Sequence, residues 1–181
     1  MEEREKVKRI PSAIYVDKRG KRLYGKKAYE NSFRQPESCA TLFKRFIRTS
    51  TKFRLGGEEL TPENCSAEIL RELFKNLPDE IRENKDEVGT VITVPAAFNQ
   101  MQNAATLDAV KMAGLGKVAL MQEPVAAIMR VMKDNQDNGK FLVFDLGGGT
   151  LDVAIAERIS GKVNFWANGG LTWRAKRMLK P

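Results

Sequence analysis

The segment Asp145-Leu-Gly-Gly-Gly-Thr150-Leu-Asp152 constrains the fold more than any other part of the chain. Phe141-Leu-Val-Phe144 leads into it and Val153-Ala-Ile-Ala156 leads out, so it reads as strand, tight turn and strand. Three consecutive glycines let several N–H groups converge on one concave point with no Cβ in the way. Such a nest takes an anion, and phosphate is the usual guest. Asp145 and Asp152 flank it. Carboxylates beside phosphates require a cation between them, and Mg²⁺ suits, since it binds through one or two carboxylates plus phosphate oxygens and water. Thr150 adds a hydroxyl at the rim. The alternative is a glycine-rich hairpin that turns and does nothing else. This is not a P-loop, because no Lys-Ser/Thr follows the glycines and the next element is a strand.

Composition narrows the chemistry. The 181 residues include no histidine, which removes Ser-His and Cys-His nucleophiles and histidine-bound zinc and leaves carboxylates, lysines and an oxygen-bound metal. No run approaches the roughly 20 apolar residues of a membrane span, and the charged start Met-Glu-Glu-Arg-Glu-Lys does not resemble a signal peptide. Cys39 and Cys65 are too few for a disulfide framework, so a reducing cytoplasm is the simplest setting. The net charge of +8 is uneven: residues 1–60 carry 16 Lys/Arg against 8 acids, residues 61–160 carry 10 against 15, and residues 161–181 carry 5 against none. A basic first third could attract nucleic acid. However, Lys18-Arg19-Gly20-Lys21-Arg22 reads as a solvated turn without interleaved aromatics.

Along the chain, Ile10 to Val16 is expected to be a strand, returning after a turn at Asp17–Gly20 through Arg22–Tyr24. Residues 26–34 predict a short helix, and Leu42 to Ile47 a helix with one buried face. Thr61-Pro62-Glu63 is a helix start, with a capping hydroxyl, a first-turn proline and an acid at the positive end of the dipole. Ile69, Leu70, Leu73, Phe74, Leu77 and Ile81 follow as a helical stripe expected to be core, with Pro78 kinking or ending the helix near Leu77. Thr90–Val94, Asn99–Gly114, Val118–Met121 and Val125–Met132 then alternate strand, helix, strand, helix, which implies a parallel strand pair.

Several pieces together resemble the nucleotide-binding domain of the DnaK-type heat-shock chaperones, the heat shock protein 70 family. They are Thr93-Val-Pro95-Ala-Ala-Phe98-Asn99, Ala113-Gly-Leu115, Gln122-Glu123-Pro124-Val-Ala-Ala127 and the glycine motif. Ile10-Pro-Ser-Ala-Ile and Phe43-Lys44-Arg45-Phe46-Ile47 match in order upstream. The glycine motif alone also occurs in actin-like filament proteins, exopolyphosphatases and sugar kinases, and the other pieces narrow it to the chaperones. The resemblance, from Val7 to Gly170, implies an α/β fold of actin-like ATPase (ribonuclease H-like) lobes truncated at both ends, with mixed sheets and flanking helices. It implies a partial first lobe at 7–137, the start of a second lobe at 138–170 and a divergent basic tail at 171–181. The implied cofactors are ATP or ADP with Mg²⁺. Lys44 would reach toward the γ-phosphate and the attacking water. Glu123 would sit near the metal's water shell, compatible with its being a helix N-terminal acid. Asp145 would hold Mg²⁺ through water. Gly147, Gly148, Gly149 and Thr150 would cradle phosphates, with Asp152 at the exit. Pro95 would be the interlobe switch, or a plain strand terminator.

The chain departs from the family's pattern in places. Ala97 and Asn103 stand where the family has Tyr and Arg, which bears on nucleotide-to-substrate coupling. The first phosphate-loop strand is not found before Ile10, so neighbouring strands would lack a shared partner. The tail from Leu171 is expected to be a frameshift, truncation or degraded gene product. The leading expectation is therefore an ATP-binding fragment of a chaperone ATPase, with co-chaperones and unfolded protein as partners only in a full-length form. A catalytically inactive scaffold needing a partner strand is the alternative, and a nucleic-acid module comes last.

Overall fold

In the computed structural model, residues 10–134, 137–146 and 150–172 are described. They form two compact units, one of the described residues up to 84 together with 105–115 and the other of 85–104 together with those from 116 onward.

The first unit is organised around β1 (Ala13–Val16), which pairs antiparallel with β2 (Arg22–Tyr24) on one side and β3 (Cys39–Thr41) on the other. All four β1 residues are buried, because both faces of the strand are covered. Ala13 and Tyr15 pack with Ala28 of α1 (Lys26–Asn31). Ile14 and Val16 join Ala40, Phe43, Leu55, Leu60, Cys65 and Ile69. Leu55 and Leu60 belong to the hairpin β4 (Phe53–Leu55) and β5 (Glu58–Leu60). Its two-residue turn is Gly56-Gly57, both at positive φ, as a type I′ turn requires. A Cβ on Gly56 would also lie 2.5 Å from Val16 Cγ1.

Helix α2 (Pro62–Lys75) opens with the expected cap. The Asn64 amide donates to Thr61 Oγ1 at 3.1 Å, and the Thr61 amide donates to Asn64 Oδ1 at 3.2 Å, which satisfies two otherwise orphaned donors. The stripe beyond it is core only in its first half. Ile69 is buried, but Leu73 and Leu77 are 38% and 40% exposed, because the core cluster reaches no further along α2 than Ile69. Pro78 lies beyond the helix, leading into the short α3 (Asp79–Glu83). Two other expectations are also corrected. The helix expected at 26–34 stops at Asn31. Residues 42–47 form only a 3₁₀ turn, Phe43–Phe46, because Leu42 and Arg48 on either side adopt left-handed backbone angles that a helix cannot continue through.

The basic run near the N-terminus is a turn, as expected. Asp17 Oδ1 accepts from the amides of Arg19 and Lys21 at 2.8 Å each. Its last member is not a free cation, since Arg22 bonds Glu58 at 2.6 Å and Glu68 at 3.3 Å, and Tyr24 also donates to Glu68.

Burial decides thiol chemistry here. It pushes the Cys65 thiol up to about 12, and Cys39 is raised by burial and by Glu37. Native chain at pH 8 is therefore expected to leave Cys65 unmodified by maleimide while urea-unfolded chain is labelled there, with peptide mass spectrometry as the readout. The unfolded thiol releases its proton near pH ~8.5 and the folded one only near 12. This group's contribution to stability is thus full below the unfolded value and declines as pH rises across that window.

The second unit contains β6 (Thr90–Val94) and β7 (Val118–Gln122), paired in parallel from Thr90↔Val118 to Val94↔Gln122, with no third strand among the described residues. Between them runs α4 (Gln100–Ala113), whose residues from 105 belong to the first unit, where Ala109 and Ala113 meet Ala67. Gly114 takes a φ of 76°, the expected C-terminal cap. Helix α5 (Glu123–Asp134) follows β7 directly. An antiparallel meander completes the unit: β8 (Gly139–Leu146), β9 (Thr150–Ile159) and β10 (Lys162–Thr172), with β9 central.

The meander's two faces differ. On one, Ala154 and Ala156 are small enough to let Ile128 and Met132 of α5 close on the sheet, flanked by Phe141, Val143 and Val163. Arg158 donates to the Met132 carbonyl at 3.0 Å, satisfying a C-terminal carbonyl of the helix. The other face carries Leu142, Phe144 and Ile155, all exposed. Trp166 occupies a bulge in β10, with Lys140 Nζ 4.6 Å from its ring centre.

Candidate functional site

The strands that border the glycine bend set two acids against each other. In the β8–β9 register Asp145 stands directly opposite Asp152, one pair in from Leu146↔Leu151. Directly opposed residues of an antiparallel pair share a face with Cβ atoms about 4.5–5.5 Å apart, here the face that α5 covers further along. Asp145 is half-buried and Asp152 is fully buried. Like charges placed so are unfavourable unless something positive or a donor faces them. Asp152 Oδ1 has such a donor, the backbone amide of Ala96 at 2.8 Å. Its Oδ2 is buried and has no partner among the described residues.

Ala96 lies in the turn that follows β6. Pro95 is buried at the end of the strand, and the Phe98 amide donates to its carbonyl at 3.1 Å, closing Pro95–Phe98 as a β-turn. Asn99 then caps α4 reciprocally: Gln102 N donates to Asn99 Oδ1 at 2.9 Å and Asn99 N to Gln102 Oε1 at 3.1 Å. Asn103, one turn into the helix, has a buried Oδ1 with no partner among the described residues. Glu123 is the first residue of α5, half-buried, with Pro124 buried behind it. An acid there is favoured by the helix dipole whether or not it has a ligand.

Of the residues singled out from sequence, Asp145 and Asp152 are brought together, and the Pro95 turn is joined to them through Ala96. Lys44 is exposed on the 3₁₀ turn of the first unit, whereas Glu123, Asp145 and Asp152 belong to the second. Gly147, Gly148 and Gly149 lie outside the described residues, as does the tail from residue 173. Thr150 begins β9, and the description does not extend to its side chain. The donor from Ala96 had no signature in the sequence, since every residue but proline carries a backbone amide.

Among the described residues no three acidic or sulfur ligands converge. Two carboxylates, one with a spare buried oxygen, nonetheless match the donor set of an ion that takes most of its remaining ligands from phosphate and water. Among those residues no helix is long and apolar enough to cross a membrane.

A mixed α/β architecture of several small sheets with flanking helices, with two acids opposed on β8 and β9, defines part of an actin-like ATPase domain. The family model described as Hsp70 protein matches residues 18–172, and the chain belongs to that family. It is similar to the protein named chaperone protein DnaK of Elusimicrobium minutum (strain Pei191), with 42% identity over 151 residues. That match covers 83% of this chain and 24% of the relative, so the chain spans about a quarter of that protein's length.

Proposed function

We propose that this chain binds ATP and ADP with Mg²⁺ as part of a chaperone ATPase domain, whose hydrolysis of ATP drives protein folding and stress responses in the cytoplasm in full-length form. The observation that carries this reading is the opposed Asp145–Asp152 pair on the strands bordering Gly147–Gly149, with a buried carboxylate oxygen left over. In this reading Gly147, Gly148, Gly149 and Thr150 receive the phosphates. Asp145 and Glu123 hold the metal's water shell, and Lys44 orients the γ-phosphate and attacking water. Mg²⁺, when bound, neutralises phosphate charge. The chain's own groups supply positioning, which accounts for most of the catalysis of phosphoryl transfer. The lobe boundary near residue 138 belongs to the same proposal. The compact units divide the chain by packing and bear on a different question. Co-chaperones and unfolded protein are partners of the full-length form.

Calorimetric titration of the whole chain with MgADP and MgATP tests this. Saturable heat is expected that disappears with EDTA and weakens at least about tenfold in Asp145→Ala or Gly148→Val, the loss expected for a charge-assisted contact. No heat from either nucleotide at millimolar concentration would overturn it. The two-stranded β6–β7 ladder favours one second reading, a scaffold completed by a partner strand. A sharp two-state melt of a monomer counts against that alternative.

A further inference from the structure

Asp152 is the one buried charged side chain among the described core residues, at 0% exposure. A carboxylate buried so completely is tolerated when donors face it, and the described donor is the Ala96 amide at 2.8 Å across 56 residues of sequence. The turn leaves that amide available. Pro95 has no N–H, and the Phe98 amide is used in closing the turn on the Pro95 carbonyl. Ala96 therefore points its donor out of the turn, and Asp152 takes it. Immediately beyond, the Asn99–Gln102 cap fixes where α4 begins.

We propose that Asp152 is a positioning residue: it bolts the Pro95–Phe98 turn, and with it the start of α4, to the strand leaving the glycine hairpin. Its carboxylate acts as an acceptor for a backbone amide, so displacement of β9 near Thr150 is passed to the turn through Ala96, whatever the proline ring itself does. The nucleotide-dependent part of this device rests on the function proposed above. The tie itself does not.

Amide exchange and nucleotide titration on the ¹⁵N-labelled whole chain test both parts. The Ala96 amide is expected to be protected in the wild type and in Asp152→Asn, whose side-chain oxygen still accepts. In Asp152→Ala it should exchange about tenfold faster or more, while the Ala154 and Ala156 amides of β9 stay as slow as before. Ala96→Pro keeps the turn's backbone, since proline suits the second position of a β-turn, but lacks the donor. It should shift the Phe98 and Asn99 amide resonances as Asp152→Ala does, and it provides the reading if the alanine variant does not fold. MgADP affinity in Ala96→Pro, which leaves the carboxylates of Asp145 and Asp152 in place, is expected within about threefold of wild type, about 0.6 kcal/mol. Fast Ala96 exchange in the wild type, or Asp152→Asn behaving like Asp152→Ala, overturns the tie. Loss of MgADP binding in Ala96→Pro would make the turn part of the nucleotide site rather than a tie to it, and also overturns the proposal. A wild type that binds no nucleotide ends the functional reading, and the exchange measurement still decides the tie.

Discussion

Alanine in place of Ile128 is expected to destabilise the second unit by about 2–5 kcal/mol, toward the upper part of that range. Ile128 is fully buried at the centre of the contact between α5 and the meander. Directly across from it β9 offers Ala154 and Ala156, which have no rotamers with which to fill a cavity. The space vacated by the isoleucine therefore remains largely empty, and the surrounding atoms lose dispersion partners. Urea unfolding followed by exchange of the Ala154 and Ala156 amides measures the loss. A change below about 1 kcal/mol would mean that α5 repacks freely, contrary to the tight contact described. Because α5 starts at Glu123, the same substitution is expected to weaken any ligand binding that needs that acid held in place.

Adding a single methyl at Gly116 should be nearly as damaging. A Cβ there would lie 2.1 Å from the Lys85 carbonyl oxygen and 2.9 Å from its carbon. Both are backbone atoms and cannot swing aside as a flexible side chain could. The neighbouring bond, Thr90 N to the Lys117 oxygen at 2.8 Å, registers the approach to β6 against that to β7 and would be forced apart. Gly116→Ala is expected to cost about 1–3 kcal/mol or more through overpacking. Gly89→Ala makes a matched control, since its Cβ would meet nothing within 4 Å and its φ is not positive. That substitution should be neutral or stabilising by about 0.4–1 kcal/mol through the unfolded chain. Equal melting temperatures for the two variants would show the close approach at Gly116 to be absent in solution.

Much of this architecture was legible in the residues because local chemistry decided it. The strands on either side of the glycine run, the Thr61 cap, the Gly114 stop and the parallel pair all follow from turn residues and periodicity. The motif pieces from Val-Pro-x-x-Phe-Asn to the glycine run pointed to the family that the match over residues 18–172 establishes. What escaped was set by tertiary context. Nothing in the spacing of Leu73 and Leu77 says that the core stops at Ile69. Nothing in Leu42-Phe43-Lys44-Arg45-Phe46 announces left-handed residues at both ends of that turn. The continuous apolar run Phe141–Phe144 of β8 gives no sign of an open face, yet Leu142 and Phe144 face outward. At the site, Asp145 and Asp152 were legible as flanking acids, whereas the anchor on Ala96 required the fold.

That anchor has a consequence for the order in which the second unit assembles. The meander closes through the short connection at Ser160-Gly161 between β9 and β10, whose loop entropy is small and whose formation is rapid. The bond from Asp152 to Ala96 joins positions 56 residues apart and has to wait until the long intervening stretch has condensed. It is thus expected to be among the last contacts to form. A chain caught early in maturation would carry a finished hairpin beside a loose entrance to α4.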